Sequence, residues 1–286
     1  MKGKTCLITG ANSGIGRATA ERLASMGAHV VMVSRDYERG ETARREIQSS
    51  TNASVDLLLA DLSSQGEIRD LAATVGKDYE SLHVLVNNAG ALVNPRQETM
   101  DGLEYTFALN HLAPFLLANL LRDLLKASAP ARIVNVTSEA HAMGRIHFDD
   151  LQALRRYRPL GAYNQAKLAN ILFTYELARQ LADASVTVNC VHPGGVNTNF
   201  AKNTKGAFAA MFRLMKPFMR SPEKGAETVL YAATAPELEG ATGLYLVDKE
   251  ARPSSKRSYD EDVARRLWDV SVRLTGLEGT VPPLNP

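Results

Sequence analysis

A glycine-rich turn near the N-terminus constrains this chain more than any other feature. Residues 9–16 read Thr-Gly-Ala-Asn-Ser-Gly-Ile-Gly, directly after the apolar run Cys6, Leu7 and Ile8 and directly before an amphipathic stretch. A strand that feeds a helix through such a turn opens a parallel sheet and makes a phosphate cradle. Gly10 permits the tight turn, while Gly14 and Gly16 let backbone and helix approach a pyrophosphate closely. The helix starting near Gly14 would point its unpaired amides and positive dipole end at those phosphates. Asn12, Ser13 and Ile15 lie in the same loop and share the expected contact.

Beyond this turn, apolar strand candidates alternate with amphipathic helices, the pattern of a parallel sheet covered on both faces. Strands are expected near residues 4–9, 29–34, 54–60, 84–87, 132–137, 187–192 and 244–247. Helices are expected over 14–26, 37–49, 65–79, 102–125, 161–181 and 222–233. The fold class is therefore α/β, a Rossmann-type, doubly wound, parallel sheet of seven strands. A chain of 286 residues suits one such domain. Its formal net charge of +2 is too small to imply nucleic acid, and its Lys and Arg are spread along helical stretches. Cys6 and Cys190 both lie in apolar strand-like runs and suggest neither a disulfide framework nor a metal site. The first strand starts almost at Met1, leaving no room for a signal peptide, and no apolar run is long enough to span a bilayer. The expected location is the cytoplasm.

Two segments break the rhythm. Residues 141–160 form a long connection after the fifth strand, and residues 198–221 follow the sixth with an apolar stretch from Phe208 to Met219. Ligands of open α/β sheets bind beyond the carboxyl ends of the strands, so both segments are expected at the site. For 198–221 three readings stay open: a substrate lid, a helix packed on the core, and a membrane-contact surface, since Lys202, Lys205, Arg213, Lys216 and Arg220 accompany the apolar residues. The tail from 275 to 286 should be irregular.

The chemistry-bearing residues come later in the chain. Tyr163 and Lys167 are four apart in a helical stretch and so share a face, where the ammonium would favour the ionised phenol and let it trade a proton near neutral pH. An exposed Tyr-x-x-x-Lys pair is common and means little alone; its weight comes from the glycine turn upstream. At the end of the second strand, an acid would bind the adenosine ribose hydroxyls of NAD, yet the chain carries Ser34 and Arg35. A planar guanidinium suits a 2′-phosphate, so the cofactor is expected to be NADP(H). Arg35 could instead pair with Asp36 or Glu38, and Asp36 could restore partial NAD affinity or serve as a helix N-cap. His141, His147 and His192 lack zinc-ligand spacing; His192 reads as a strand-end hydrogen-bonding residue and the other two as loop residues. No metal is expected.

The residues from Thr9 to Gly16, the run Asn87, Asn88, Ala89 and Gly90, then Asn110, Ser138, Tyr163, Lys167, Pro193 and Gly194 fall in one order. That order resembles the short-chain dehydrogenase/reductase family over nearly the whole chain. Residues 129–136, 167–170 and 268–271, with the long 141–160 insertion, resemble its retinol-dehydrogenase-like branch. The resemblance implies that Asp61 and Leu62 flank the adenine, and that Asn88 and Gly90 lie at the adenosine side and sheet. It puts Pro193, Gly194, Val196 and Thr198 at the nicotinamide. It gives Ser138 polarisation of the reacting oxygen, Tyr163 the proton, Lys167 the tyrosine pKa and the nicotinamide ribose, and Asn110 a water. Ser138 could instead merely end a strand, and Asn110 could bond its own helix. The expected activity is a carbonyl reductase or alcohol dehydrogenase acting on a small apolar aldehyde, ketone or alcohol. A C=C reductase and a non-catalytic nucleotide sensor are the alternatives, and homo-oligomerisation stays open.

Overall fold

A computed structural model describes residues 1–196 and 219–279. Its first half is a repeated strand-helix unit: β1 (Thr5–Thr9), α1 (Gly14–Ser25), β2 (His29–Ser34), α2 (Tyr37–Thr51), β3 (Val55–Leu59), α3 (Gln65–Asp78) and β4 (Val84–Asn87). Local chemistry starts these helices. Asp36 accepts from the Arg39 amide at 3.1 Å to cap α2, and Ser64 accepts from the Glu67 amide to cap α3. Helix α1 differs, for its N-cap Ser13 makes no side-chain cap bond and its first turn holds no acid. Its leading amides are therefore left to a ligand.

The second half holds β5 (Ala131–Val136), α7 (Pro159–Gln180), β6 (Val186–His192), α8 (Pro222–Thr234), β7 (Tyr245–Val247), β8 (Glu250–Ala251) and α9 (Glu261–Leu274). The strands form one sheet in the order β3-β2-β1-β4-β5-β6-β7-β8, parallel except for the antiparallel pair β7–β8. β8, two exposed residues, extends the expected seven strands to eight. Strand order reverses between β1 and β4, opening a crevice at their carboxyl ends.

Between β4 and β5 the expected single helix over 102–125 is broken. It runs as α4 (Tyr105–Phe107), a π turn (Ala108–Leu112), α5 (Ala113–Leu120) and α6 (Arg122–Ala127). Pro114 lacks the amide that would reach the Asn110 carbonyl, and the ladder widens so that Ala113 N–H donates to Ala108 O. Buried Glu104 starts the segment by accepting from the Thr106 and Phe107 amides, both at 2.7 Å.

Helix α7 is buried on nearly every face, with Leu168, Ile171, Leu172 and Leu177 at most 1 % exposed. The unexpected helix α9 covers it, turning Ala264, Leu267, Trp268 and Ser271 inward. Trp268 meets Phe115 edge-on at 4.9 Å and stacks on Phe173 at 6.1 Å. The i, i+3, i+4, i+7 spacing of those residues was the signal that could have revealed this helix. Most of residues 198–221, including Thr198, and residues 280–286 lie outside the described residues. Among the described residues, no helix is long and apolar enough to cross a membrane.

Candidate active site

One cavity of about 640 Å³ runs across the carboxyl ends of the strands. Its cofactor-shaped end is built from backbone. Gly10 and Gly14 have φ of +65° and +58°, a region L side chains rarely adopt. A Cβ on Gly16 would stand 2.4 Å from both the Gly10 carbonyl and Asn88 Nδ2, so Gly16 packs beneath the turn and does not line the cavity. Asn88 Nδ2 donates to Thr9 O at 2.8 Å, while the Thr9 hydroxyl accepts from the amides of Asn88 and Ala89 at 2.9 and 3.0 Å. The loop is thus laced to the end of β4, and Asn12, Ser13 and Ile15 line the space in front of it.

Farther along, Arg35, Asp36, Asp61, Leu62 and Gly90 line the same cavity. Arg35 makes neither ion pair open to it in the sequence and donates instead to the Tyr105 hydroxyl at 2.9 Å. Arg39, one turn into α2, also faces the cavity and was missed; its i+4 spacing from Arg35 was the available signal. Two guanidinium groups at this wall, and uncapped amides at α1, suit an extended polyanion. The donor set fits a phosphorylated dinucleotide.

The other end of the cavity gathers Asn110, Ser138, Tyr163 and Lys167. The π turn presents Asn110, whose Nδ2 donates to Ala91 O at 2.8 Å and Thr106 O at 2.7 Å. Its Oδ1 is buried with no partner, and a Cβ on Gly90 would come within 2.6 Å of that oxygen and 3.6 Å of Lys167 Nζ. An orphaned acceptor this close to an ammonium leaves a place for a bridging water or ligand hydroxyl. Lys167 Nζ donates to Val136 O at 2.9 Å, and Thr137 Oγ1 donates to Lys167 O at 3.1 Å, so α7 is pinned to the end of β5. Thr137 is a further positioning group that the sequence reading passed over.

Burial dominates the electrostatics of the pair. Lys167 Nζ lies 5.6 Å from the Tyr163 ring centroid, turned toward the Val136 carbonyl. Burial pushes the Tyr163 phenol up, opposed by a hydrogen bond with Ser138, and burial lowers Lys167 to about 8. Burial thus favours the neutral phenol, while the Ser138 hydrogen bond favours its ionised form. A protonated Tyr163 is a proton donor. Pro193, Gly194 and Val196 line the cavity, with Gly194 at φ +86° against the Arg220 side chain, which pairs with Asp248. The 141–160 connection does reach the site: Met143 and Leu160 line the cavity and are 73 % and 46 % exposed. His141 is not a loop residue but is buried in a 3-10 turn.

A phosphate-cradling turn, a Tyr/Lys pair with Ser138, and this sheet order define a dinucleotide-dependent oxidoreductase. The short-chain dehydrogenase pattern matches residues 4–207, and the chain belongs to that family. Within it the chain is retinol-dehydrogenase-like. It is 44% identical to retinol dehydrogenase 12 of Mus musculus over 97% of this chain and 88% of that protein. Identity to retinol dehydrogenase 11 of Homo sapiens is 44%, covering 97% and 87%. Among solved structures, an uncharacterised protein from Mycobacterium paratuberculosis superposes with a TM-score of 0.79 at 34% identity, covering 96% of this chain and 94% of that one. The Pseudomonas aeruginosa RhlG/NADP active-site complex superposes at 0.69 with 26% identity, covering 87% and 95%. The protein is an oxidoreductase acting on an alcohol or carbonyl.

Proposed function

We propose that this protein is an NADP(H)-dependent reductase of apolar aldehydes or ketones, working reversibly on the corresponding alcohols. The observation that carries the cofactor choice is the pair Arg35 and Arg39 on one cavity wall. Either guanidinium can hold a 2′-phosphate by charge-assisted hydrogen bonds. Asp36, capping α2 from the same wall, opposes that preference and sets its size.

When bound, the cofactor supplies or takes a hydride at its nicotinamide. The remaining work falls to the chain. Ser138, beyond β5, donates to the carbonyl oxygen on which charge develops, and Tyr163 delivers its phenolic proton to that oxygen. Burial favours the protonated phenol, the form that can donate this proton. Lys167 and the buried, unpartnered Oδ1 of Asn110 lead protons back toward solvent and hold the ribose side of the site. Leu92, Met143, Leu160 and Met219 supply apolar wall at the mouth, which supports an apolar substrate.

The test follows NADPH and NADH absorbance with aldehydes, ketones and enones of graded size. The reading expects kcat/KM to favour NADPH by tenfold or more, about 1.4 kcal/mol, and carbonyls over enones. Equal use of the two cofactors overturns the cofactor assignment. Reduction of enones alone would replace the proposed reaction with C=C reduction.

A further inference from the structure

Ser138 can polarise a substrate oxygen only if the peptide that carries it is held still. It sits where β5 gives way to a 3-10 turn (Glu139–Met143), and two histidines from different elements grip that turn. His141, 3 % exposed, has its Nδ1 2.8 Å from Ser138 O and its Nε2 3.0 Å from the Ser255 amide. Its ring also meets Tyr245 of β7 edge-on at 5.0 Å. On the opposite side, at the end of β6, His192 Nδ1 accepts from the Glu139 amide at 3.2 Å and the ring lines the cavity.

The chemistry of the partners decides each tautomer. A backbone amide can only donate, so His141 Nε2 and His192 Nδ1 must both be lone-pair acceptors. His141 is then Nδ1–H and donates to the Ser138 carbonyl; His192 is Nε2–H, with Glu139 Oε2 3.8 Å away. Protonating His192 at Nδ1 sets N–H against the Glu139 amide and opens the grip, whereas protonating His141 at Nε2 breaks only the Ser255 contact and leaves Nδ1–H on the Ser138 carbonyl.

We propose that His141 and His192 are positioning residues that clamp the Ser138–Glu139 peptide between the 252–259 segment and β6, holding the Ser138 hydroxyl on the substrate oxygen only while His192 is neutral. This rests on the reading of Ser138 as the oxygen's donor. The charged and titratable groups that face the two rings are Glu139, Arg220, Asp248, Tyr245 and each other. Burial lowers both histidines, so the clamp holds at neutral pH and opens only in acid.

Two substitutions at one position separate catalytic positioning from mere anchoring. In His141→Asn, Nδ2 can replace Nδ1 and still donate to Ser138 O, while the Ser255 contact is lost. In His141→Gln, Oε1 can replace Nε2 and still accept from Ser255, while the Ser138 contact is lost. The Asn variant should keep kcat within about threefold, and the Gln variant should lose roughly 10- to 100-fold in kcat with cofactor KM unchanged, the scale of a small misplacement of a reacting group. Equal turnover in the two, or the reverse order, overturns the proposal. The acid limb of the kcat/KM profile should vanish in the double variant His141→Asn/His192→Asn, whose amides do not titrate; an unchanged limb also overturns it. Nitrogen-15 imidazole shifts of the native protein should show His141 as Nδ1–H and His192 as Nε2–H, and either ring in the other tautomer sinks the clamp. That measurement needs no turnover. A native protein that reduces no carbonyl would defeat the proposed reaction, while the imidazole shifts would still decide the clamp.

Discussion

The two ends of the cavity are built by different means. At the cofactor end, backbone does the work: three glycines within seven residues, the uncapped amides of α1, and a loop laced to β4 through Thr9 and Asn88. At the catalytic end, side chains from the π turn, the turn after β5, α7 and the end of β6 converge, and the Ser255 backbone amide backs them from far along the chain. A site made of local backbone is rigid wherever its strand and helix form. A site made of converging side chains is only as precise as the packing behind each one, which here includes α9 pressed on α7 and buried His111 bonded to Ser271.

The largest effect that sharpens this contrast is Tyr163→Phe. Losing the proton donor should cost about 10²- to 10⁴-fold in kcat, with NADPH dissociation constants measured by fluorescence nearly unchanged. Weakened cofactor binding in that variant would mean that the two ends are not separable. The counterpart is Gly16→Ala, whose methyl would meet the Gly10 carbonyl at 2.4 Å. Overpacking there should lower stability by about 1–3 kcal/mol, read in thermal melts, and should abolish tight NADPH binding. A melt and an affinity like the native protein's would show the turn to be less constrained than its geometry says.

Arg35→Ala should reduce the NADPH-over-NADH preference by about tenfold, the worth of one hydrogen bond to a charged group. A preference left intact would assign the 2′-phosphate to Arg39 alone. At the other end, Met143→Ala and Leu160→Ala should raise KM roughly three- to tenfold for bulky apolar carbonyls, at about 0.8 kcal/mol per methylene no longer covered. Equal losses for small substrates would remove both residues from the substrate wall. Asp36→Asn keeps the α2 cap and removes a charge facing the phosphate site; it should raise NADPH preference about two- to threefold at low salt.

Lys167 ties the two ends together through pH. Burial depresses it to about 8 from 10.5, so the folded chain releases this proton before the unfolded chain does. Stability of the free protein should therefore rise with pH across that window, and the gain should be lost as pH falls through about 8. NADPH affinity should fall over the same rise, as the ammonium is discharged. Lys167→Met should flatten both trends, and a native protein whose melting temperature falls steadily between pH 8 and 10 would contradict the assignment.

What could be read from the chain follows the same division. The glycine turn, the alternation of strands and helices, and the Tyr163/Lys167 pair are local patterns, and local patterns carry their own physical reasons: positive φ, period and shared helix face. Seven of the eight strands, each within one residue of its observed bounds, and the family itself were within reach of the sequence. Three features were not. The helix over 102–125 broke at a π turn because Pro114 removes one donor from its ladder, and that widened turn is what delivers Asn110. The phenol of Tyr163 rises because of burial, a property of the whole fold, against a hydrogen bond with Ser138 twenty-five residues upstream. His141 reads as a loop residue until Ser255, 114 residues later, is brought against its ring. The sequence by itself determined the scaffold and the candidate groups for the chemistry, since backbone conformation and side-chain chemistry are local. Only the tertiary structure decided their protonation and aim, because desolvation and hydrogen-bond partnership depend on what distant segments place around them.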